Sequence, residues 1–167
     1  MSLDDKNTLA VEGGSPVRNT LLPYGHQCID EGDIKAVVDV LRSDWLTTGP
    51  KVAEFEKRFA EMVGAKYAVA VNSGTAALHA AAFAAGIGPG DEVITTPMTF
   101  AASANCVLYC GGRPVFADVE ADTLLLDPSS VESKVSPKTK AIIAVDYAGQ
   151  PCDYDALKKL SDEHGLI

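Results

Sequence analysis

The sequence is short of positive charge: 14 Lys and Arg stand against 23 Asp and Glu, a formal net charge of −9. A nucleic-acid binder needs a basic face to meet the phosphate backbone, so that class is excluded. No apolar run approaches the roughly 20 residues that span a bilayer, so no membrane segment is expected. The opening MSLDDKNTLAVEGGSP lacks the charged-then-apolar pattern of a secretory signal. A cytoplasmic protein is expected, with residues 1–22 as a flexible leader. Cysteine is sparse, and Cys28, Cys106, Cys110 and Cys152 form no CxxC pair. With no Cys/His set to complete a metal site, packed free thiols and no metal are expected. There is also no Gly-Lys-Ser/Thr loop and no GxGxxG, so neither nucleotide fingerprint applies.

What is present is an apolar chain of one domain's length, 167 residues at 47% hydrophobic, enough for a real core. Its organising stretch is 68–86: AVAV, then NSGT, then AALHAAAFAAG. This reads as a short buried strand, a polar turn and an alanine-rich helix stopped by Gly86 and Gly88-Pro89. The first N–H groups of such a helix lack partners, and its dipole favours negative charge. Gly74 lets an anion approach the backbone, and the hydroxyls of Ser73 and Thr75 can donate. A phosphate-sized ligand fits this turn. Taken alone, the turn is better read as a plain helix N-cap.

Around this unit the pattern alternates. Asp30, Glu31 and Asp33 open a first helix with Ile34, Val37, Val38 and Leu41 on one face, after a lead-in from Tyr24. SDWLTTGP is a loop, and a second helix follows with Val52, Phe55, Phe59, Met62 and Val63 as its stripe and Glu54–Arg58 as an i, i+4 pair. Strands are expected at 92–96, 114–117 and 141–145. Helices are expected at 100–109, after Asp127-Pro128, and after Asp153. Leu166-Ile167 resembles the opening of another strand, so the array is expected to continue past it. Apolar strands separated by helices predict an α/β fold, a mostly parallel sheet covered on both faces.

In such a sheet ligands bind outside the C-terminal strand edge. Three loops follow three strands there: NSGT at 72–75, PMTF at 97–100 and DYAGQP at 146–151. Topology thus draws Ser73, Gly74, Thr75, Phe100, Asp146, Tyr147 and Gln150 towards one region. A phosphate cradle beside an aromatic ring suits a flat, phosphorylated cofactor.

In order and spacing, GHQCIDEGDIKAVVDVLRSDWLTTGP, FEKRFAEMVGAKYAVAVNSGTAALHAA, GDEVITTPMTFAASANCVLYCGGRPVFADV and TKAIIAVDYAGQPCDYDAL resemble the DegT/DnrJ/EryC1/StrS sugar aminotransferases of PLP fold type I. Within that family, WLTTGP and VDYAGQP are most similar to the UDP-4-amino-4,6-dideoxy-N-acetyl-β-L-altrosamine transaminases. The resemblance implies pyridoxal 5′-phosphate as cofactor, with Ser73, Gly74 and Thr75 on its phosphate and Phe100 stacked on its ring. It places Thr47, Thr48 and Gly49 near the sugar and Gln150 at the pocket edge. It implies transfer of an amino group, usually from glutamate, to a nucleotide-linked 4-keto-6-deoxy sugar, by a homodimer. Residues 23–167 would be the N-terminal portion of the PLP-binding large domain. The family's pyridine-facing aspartate and Schiff-base lysine come from later motifs, so no catalytic residue is expected here and this chain alone is expected to be inactive. A PLP- or PMP-dependent sugar dehydratase of the same fold, or a non-catalytic phosphate-binding fragment, is the alternative.

Other residues have simpler explanations. His79 is expected in the core or against the sheet. Asp30/Glu31/Asp33 is expected to be a helix start, Asp118/Glu120/Asp122 a solvated loop, and Lys158-Lys159 a solvated C-terminal turn. Trp45 could pack at a subunit interface or against sugar.

Overall fold

The computed structural model describes residues 8–23 and 25–167, so Tyr24 and the first part of the expected leader lie outside the described residues. The chain divides into two compact units, 1–66 and 67–167.

In the first unit a short 3-10 turn, Ala10–Glu12, precedes two helices, α1 (Glu31–Leu41) and α2 (Pro50–Val63). The acidic cluster is a helix start. Asp30 accepts from the Asp33 N–H at 3.0 Å, and Asp33 accepts in return from the Asp30 N–H at 3.0 Å. Pro50 occupies the first helical position of α2, where its missing N–H costs nothing. Glu54 sits between Lys51 at 2.7 Å and Arg58 at 3.5 Å. The stripe Val52, Phe55, Phe59, Met62 and Val63 forms as the spacing predicts but stays exposed, with Phe55 stacked on Phe59. Ala60 is the one buried side chain among the described residues of this unit.

The second unit holds α3 (Gly74–Ala84), β1 (Glu92–Thr95), α4 (Ala102–Tyr109), β2 (Arg113–Phe116), α5 (Pro128–Lys134), β3 (Thr139–Ile143) and α6 (Tyr154–His164). Among the described residues the sheet has the order β2-β1-β3, all parallel. β1 is central and buried along its whole length, as the absence of alternation in EVIT requires. Because side chains alternate across a strand, Val93 and Ile94 serve opposite faces. Val93 packs with Ala82 of α3, Ile87 and Cys106 and Val107 of α4. Ile94 packs with Leu125, Leu126, Val131 of α5, Cys152, and Leu157 and Leu160 of α6. The fold is therefore the predicted parallel α/β arrangement, with α3 and α4 on one face of the sheet and α5 and α6 on the other.

Close packing explains one glycine. A Cβ on Gly112 would lie 2.8 Å from Ile87 Cγ2 and 3.0 Å from Val107 Cγ1, so the α4–β2 turn needs a residue with no side chain. Beside it, the buried Glu92 carboxylate is held by Arg113 and by Ser136 Oγ at 2.7 Å, which keep it below the usual carboxylate range.

Four expectations need correction. Residues 68–71 enter no strand, and Val69 is 79% exposed. β1 takes β2 and β3 as its neighbours, which leaves 68–71 outside the ladder. β3 begins two residues earlier than its apolar run, because Thr139 and Lys140 pair through their backbones whatever their side chains. His79 is neither in the core nor against the sheet; it is exposed, its ring 5.3 Å from that of Tyr109. Lys158 and Lys159 lie mid-helix on α6, paired with Asp162 and Glu163, rather than in a terminal turn.

Candidate functional site

α3 is anchored at its far end. Lys140 Nζ donates to Gly86 O at 2.8 Å, at the start of β3, and Ile87 enters the core beside Val93. From that N-terminal edge of the sheet α3 runs back one helix length, about 16 Å for 11 residues. Leu78 of α3 packs on the same cluster as Ile143, the last residue of β3, which directs the α3 N-terminus towards the C-terminal edge, where β1 delivers 97–100 and β3 delivers 144–150. Topology thus places 73–75, Phe100 and Gln150 at the same end of the second unit.

The α3 terminus has an open form. Ser73, in extended backbone, accepts from the Ala76 N–H at 3.1 Å. Accepting leaves its own O–H proton for another acceptor. The N–H groups of Gly74 and Thr75 fall in the first turn, where no intrahelical carbonyl precedes them. Nothing lies within 4 Å of a Cβ built on Gly74, so an anion meets open backbone there. The cap expected from the sequence forms, and the same turn leaves the backbone at Gly74 open.

At the end of β1, two buried threonines set the next loop. Thr95 Oγ1 donates to Ile143 O at 3.0 Å, tying the ends of β1 and β3 together. Thr96 Oγ1 accepts from the Met98 N–H at 3.0 Å, turning the chain out of the strand. The hydroxyls of Thr99 and Ser103 lie 2.8 Å apart at the start of α4. Between them Phe100 is 78% exposed, a large aromatic ring held out at the rim.

After β3, Asp146 carries the turn. Its Oδ1 accepts from the Cys152 N–H at 3.0 Å and from Tyr154 OH at 2.9 Å. These bonds, the backbone one foremost, hold its carboxyl below the usual range. Burial first, and then the Asp146 bond, push the Tyr154 phenol up to about 12. Burial also raises the Cys106 and Cys152 thiols, which keeps them neutral. The sequence reading placed Asp146 in this loop but missed Tyr154, because no periodic rule links a carboxylate to a phenol eight residues on.

Thr47, Thr48 and Gly49 belong to the first unit. Gly49 caps α2 and lies against Trp45, whose Cβ is 2.8 Å from where a Gly49 side chain would start. Thr48 takes a left-handed φ of 48°. Both threonines are exposed. Among the described residues no three His, Cys, Asp or Glu side chains gather as metal ligands, and no helix is long and apolar enough to cross a membrane.

The model of the DegT/DnrJ/EryC1/StrS aminotransferase family matches residues 27–167. The chain belongs to the DegT/DnrJ/EryC1/StrS aminotransferase family. It is similar to the spore coat polysaccharide biosynthesis protein SpsC of Bacillus subtilis, 52% identical over 150 residues that make up 90% of this chain and 39% of SpsC. It is also similar to Spr1654 of Streptococcus pneumoniae, assigned as a sugar aminotransferase and solved in its PLP form. There the TM-score is 0.80 and the identity 42%, over 85% of this chain and 36% of that one. Helicobacter pylori PseC, an aminotransferase involved in pseudoaminic acid biosynthesis, gives a TM-score of 0.80 at 37% identity, over 86% of this chain and 39% of PseC. The chain thus spans about two fifths of the length of these relatives.

Proposed function

We propose that this chain forms the cofactor-phosphate end of a PLP-dependent sugar aminotransferase acting on a nucleotide-linked 4-keto-6-deoxy sugar. The observation that carries the reading is the Ser73-Gly74-Thr75 turn, opening α3 at the same sheet edge as the exposed Phe100 in a chain of this family. The residues fit the cofactor. Two N–H groups, two hydroxyls and a helix dipole suit a phosphate dianion, and an outward aromatic suits a pyridine ring. Bound there, PLP supplies the electron sink that lets an amino group pass from donor to acceptor.

The chain's own share is binding and orientation. The hydroxyls of Ser73 and Thr75 and the amides of Gly74 and Thr75 would hold the cofactor phosphate through hydrogen bonds, and Phe100 would offer the pyridine an aromatic contact. Within the second unit, Gln150 is assigned to the sugar. No catalytic residue is assigned within 1–167. Lys140, Lys158 and Lys159 are engaged by Gly86 and Asp91, Asp162, and Glu163. The lysine and the pyridine-facing acid of the reaction are assigned to polypeptide outside these residues, in a cytoplasmic homodimer. A sugar substrate is supported by SpsC and PseC, named for polysaccharide and pseudoaminic acid biosynthesis. L-glutamate is the proposed donor.

The test uses the enzyme that contains this chain, with PLP, L-glutamate and a nucleotide-linked 4-keto-6-deoxy sugar. Stoichiometric amino-sugar and 2-oxoglutarate are expected; loss of water from the sugar without amine transfer would instead indicate a dehydratase. Thr75→Val and Phe100→Ala should each weaken PLP retention about tenfold, the scale of one lost hydrogen bond or ring contact. Unchanged retention in both would refute the assignment.

A further inference from the structure

The turn after β3 is over-determined. Asp146 closes residues 147–151 into a ring by accepting at one oxygen from both the Cys152 N–H (3.0 Å) and Tyr154 OH (2.9 Å). The base of that ring is fixed in the core: Cys152 is 6% exposed, packs in the cluster of Ile94 and Leu157, and donates its thiol proton to Val145 O at 3.2 Å. The tip is wound tightly. Gly149 N–H donates to Asp146 O at 3.1 Å and Gln150 N–H to Tyr147 O at 3.1 Å. Ala148 is forced to a left-handed φ of 54°, which a side-chain-bearing residue keeps only when its surroundings impose it. Such investment in an exposed loop is unexplained by packing, since Tyr147, Ala148, Gly149 and Gln150 are all exposed. Strain of this kind, held at a sheet's C-terminal edge, marks a loop whose tip has to keep one shape.

We infer that Asp146 is a positioning residue of the amination site: with Tyr154 it clamps 147–151 so that Gln150 is pre-set against the sugar. This rests on the sugar-aminotransferase reading above. Asp146 acts through the loop: its Oδ1 accepts from both donors that hold 147–151 closed. Pre-setting the tip lowers the ordering cost of binding, so its loss falls on substrate affinity.

The test measures, in the intact enzyme, KM and kcat for the nucleotide-linked keto sugar, PLP retention, and amide exchange at 147–151 without substrate. Asp146→Ala should speed exchange at the tip and raise KM for the sugar about tenfold, with kcat and PLP retention near wild type. Asp146→Asn keeps an oxygen acceptor for both donors and should restore KM. Tyr154→Phe, which removes one donor and leaves the fold's apolar contacts, should give an intermediate rise. Gln150→Ala added to Asp146→Ala should bring no further loss, because both act through one contact. Fast exchange with an unchanged KM would overturn the positioning role. So would an Asp146→Asn variant as damaged as Asp146→Ala, or additive losses in the double variant. If the wild-type enzyme leaves the sugar unaminated, the functional reading fails and takes this role with it. Unaltered exchange in Asp146→Ala would instead refute the clamp alone.

Discussion

Two helices of opposite fortune show how the halves of this chain differ. α2, in the first unit, is strongly amphipathic, yet its Phe55, Phe59 and Met62 are 57%, 43% and 75% exposed. α4, in the second unit, has a weaker stripe, yet buries Ala102, Ser103, Cys106 and Val107 completely or nearly so. The stripe specifies a helix through local spacing, but burial needs a partner surface. α4 has the sheet and α3. Between α1 and α2 lies an open apolar groove of about 950 Å³, lined by Val37, Val40, Leu41, Phe55, Phe59 and Met62. Stability within 1–167 should therefore come from the second unit.

The largest expected contrast tests that distribution. Ile94→Ala removes a fully buried side chain from between β1 and the α5/α6 layer, and should cost about 2–5 kcal/mol in urea unfolding. Met62→Ala on the exposed stripe should stay within about 0.5 kcal/mol. Comparable losses would break the comparison.

Next come the two capped helix starts. Asp30→Ala and Ser73→Ala each remove an N-cap and should each cost about 1 kcal/mol by thermal unfolding. In the intact enzyme Ser73→Ala should also weaken PLP retention, whereas Asp30→Ala should leave it unchanged. If both variants lose cofactor equally, the α3 terminus has no special standing.

A smaller effect should appear in pH dependence. Asp146 is depressed below its ordinary value of 3.8, so its contribution is complete above that value and is lost as pH falls through the lowered one. Tyr154 is raised from 10.0 to about 12, so its contribution is complete below pH 10 and is lost as pH rises towards 12. Stability followed by fluorescence from pH 9 to 12 should fall more steeply in the wild type than in Tyr154→Phe. Parallel curves would remove the Asp146–Tyr154 bond from the account. Smallest of all, Lys35→Ala and Lys158→Ala break exposed i, i+4 ion pairs, one in each unit. Each should shift unfolding by less than about 0.5 kcal/mol, alike in both units.

Much of the local geometry at the candidate site could be read because it is built from local signals. Ser73 as a cap, Gly74 as open backbone and Phe100 before a helix each follow from neighbours within a few positions. The 68–71 strand was misjudged because apolar composition states a preference for burial without naming a neighbour to pair with. Asp146–Tyr154 and Thr95–Ile143 stayed invisible for a related reason: each joins residues whose separation no helix or strand period encodes.

By itself, then, the amino-acid order set the helices, their caps, the parallel α/β class and the capped turn at 73–75, since all of these follow from backbone preference and periodicity over a few residues. Tertiary structure alone decided which stripes are buried, that His79 faces outward beside Tyr109, that β1 is central, and that a carboxylate and a phenol hold the 147–151 loop. Those outcomes depend on which surfaces meet in space, and contact between distant segments is settled by packing and not by spacing along the chain.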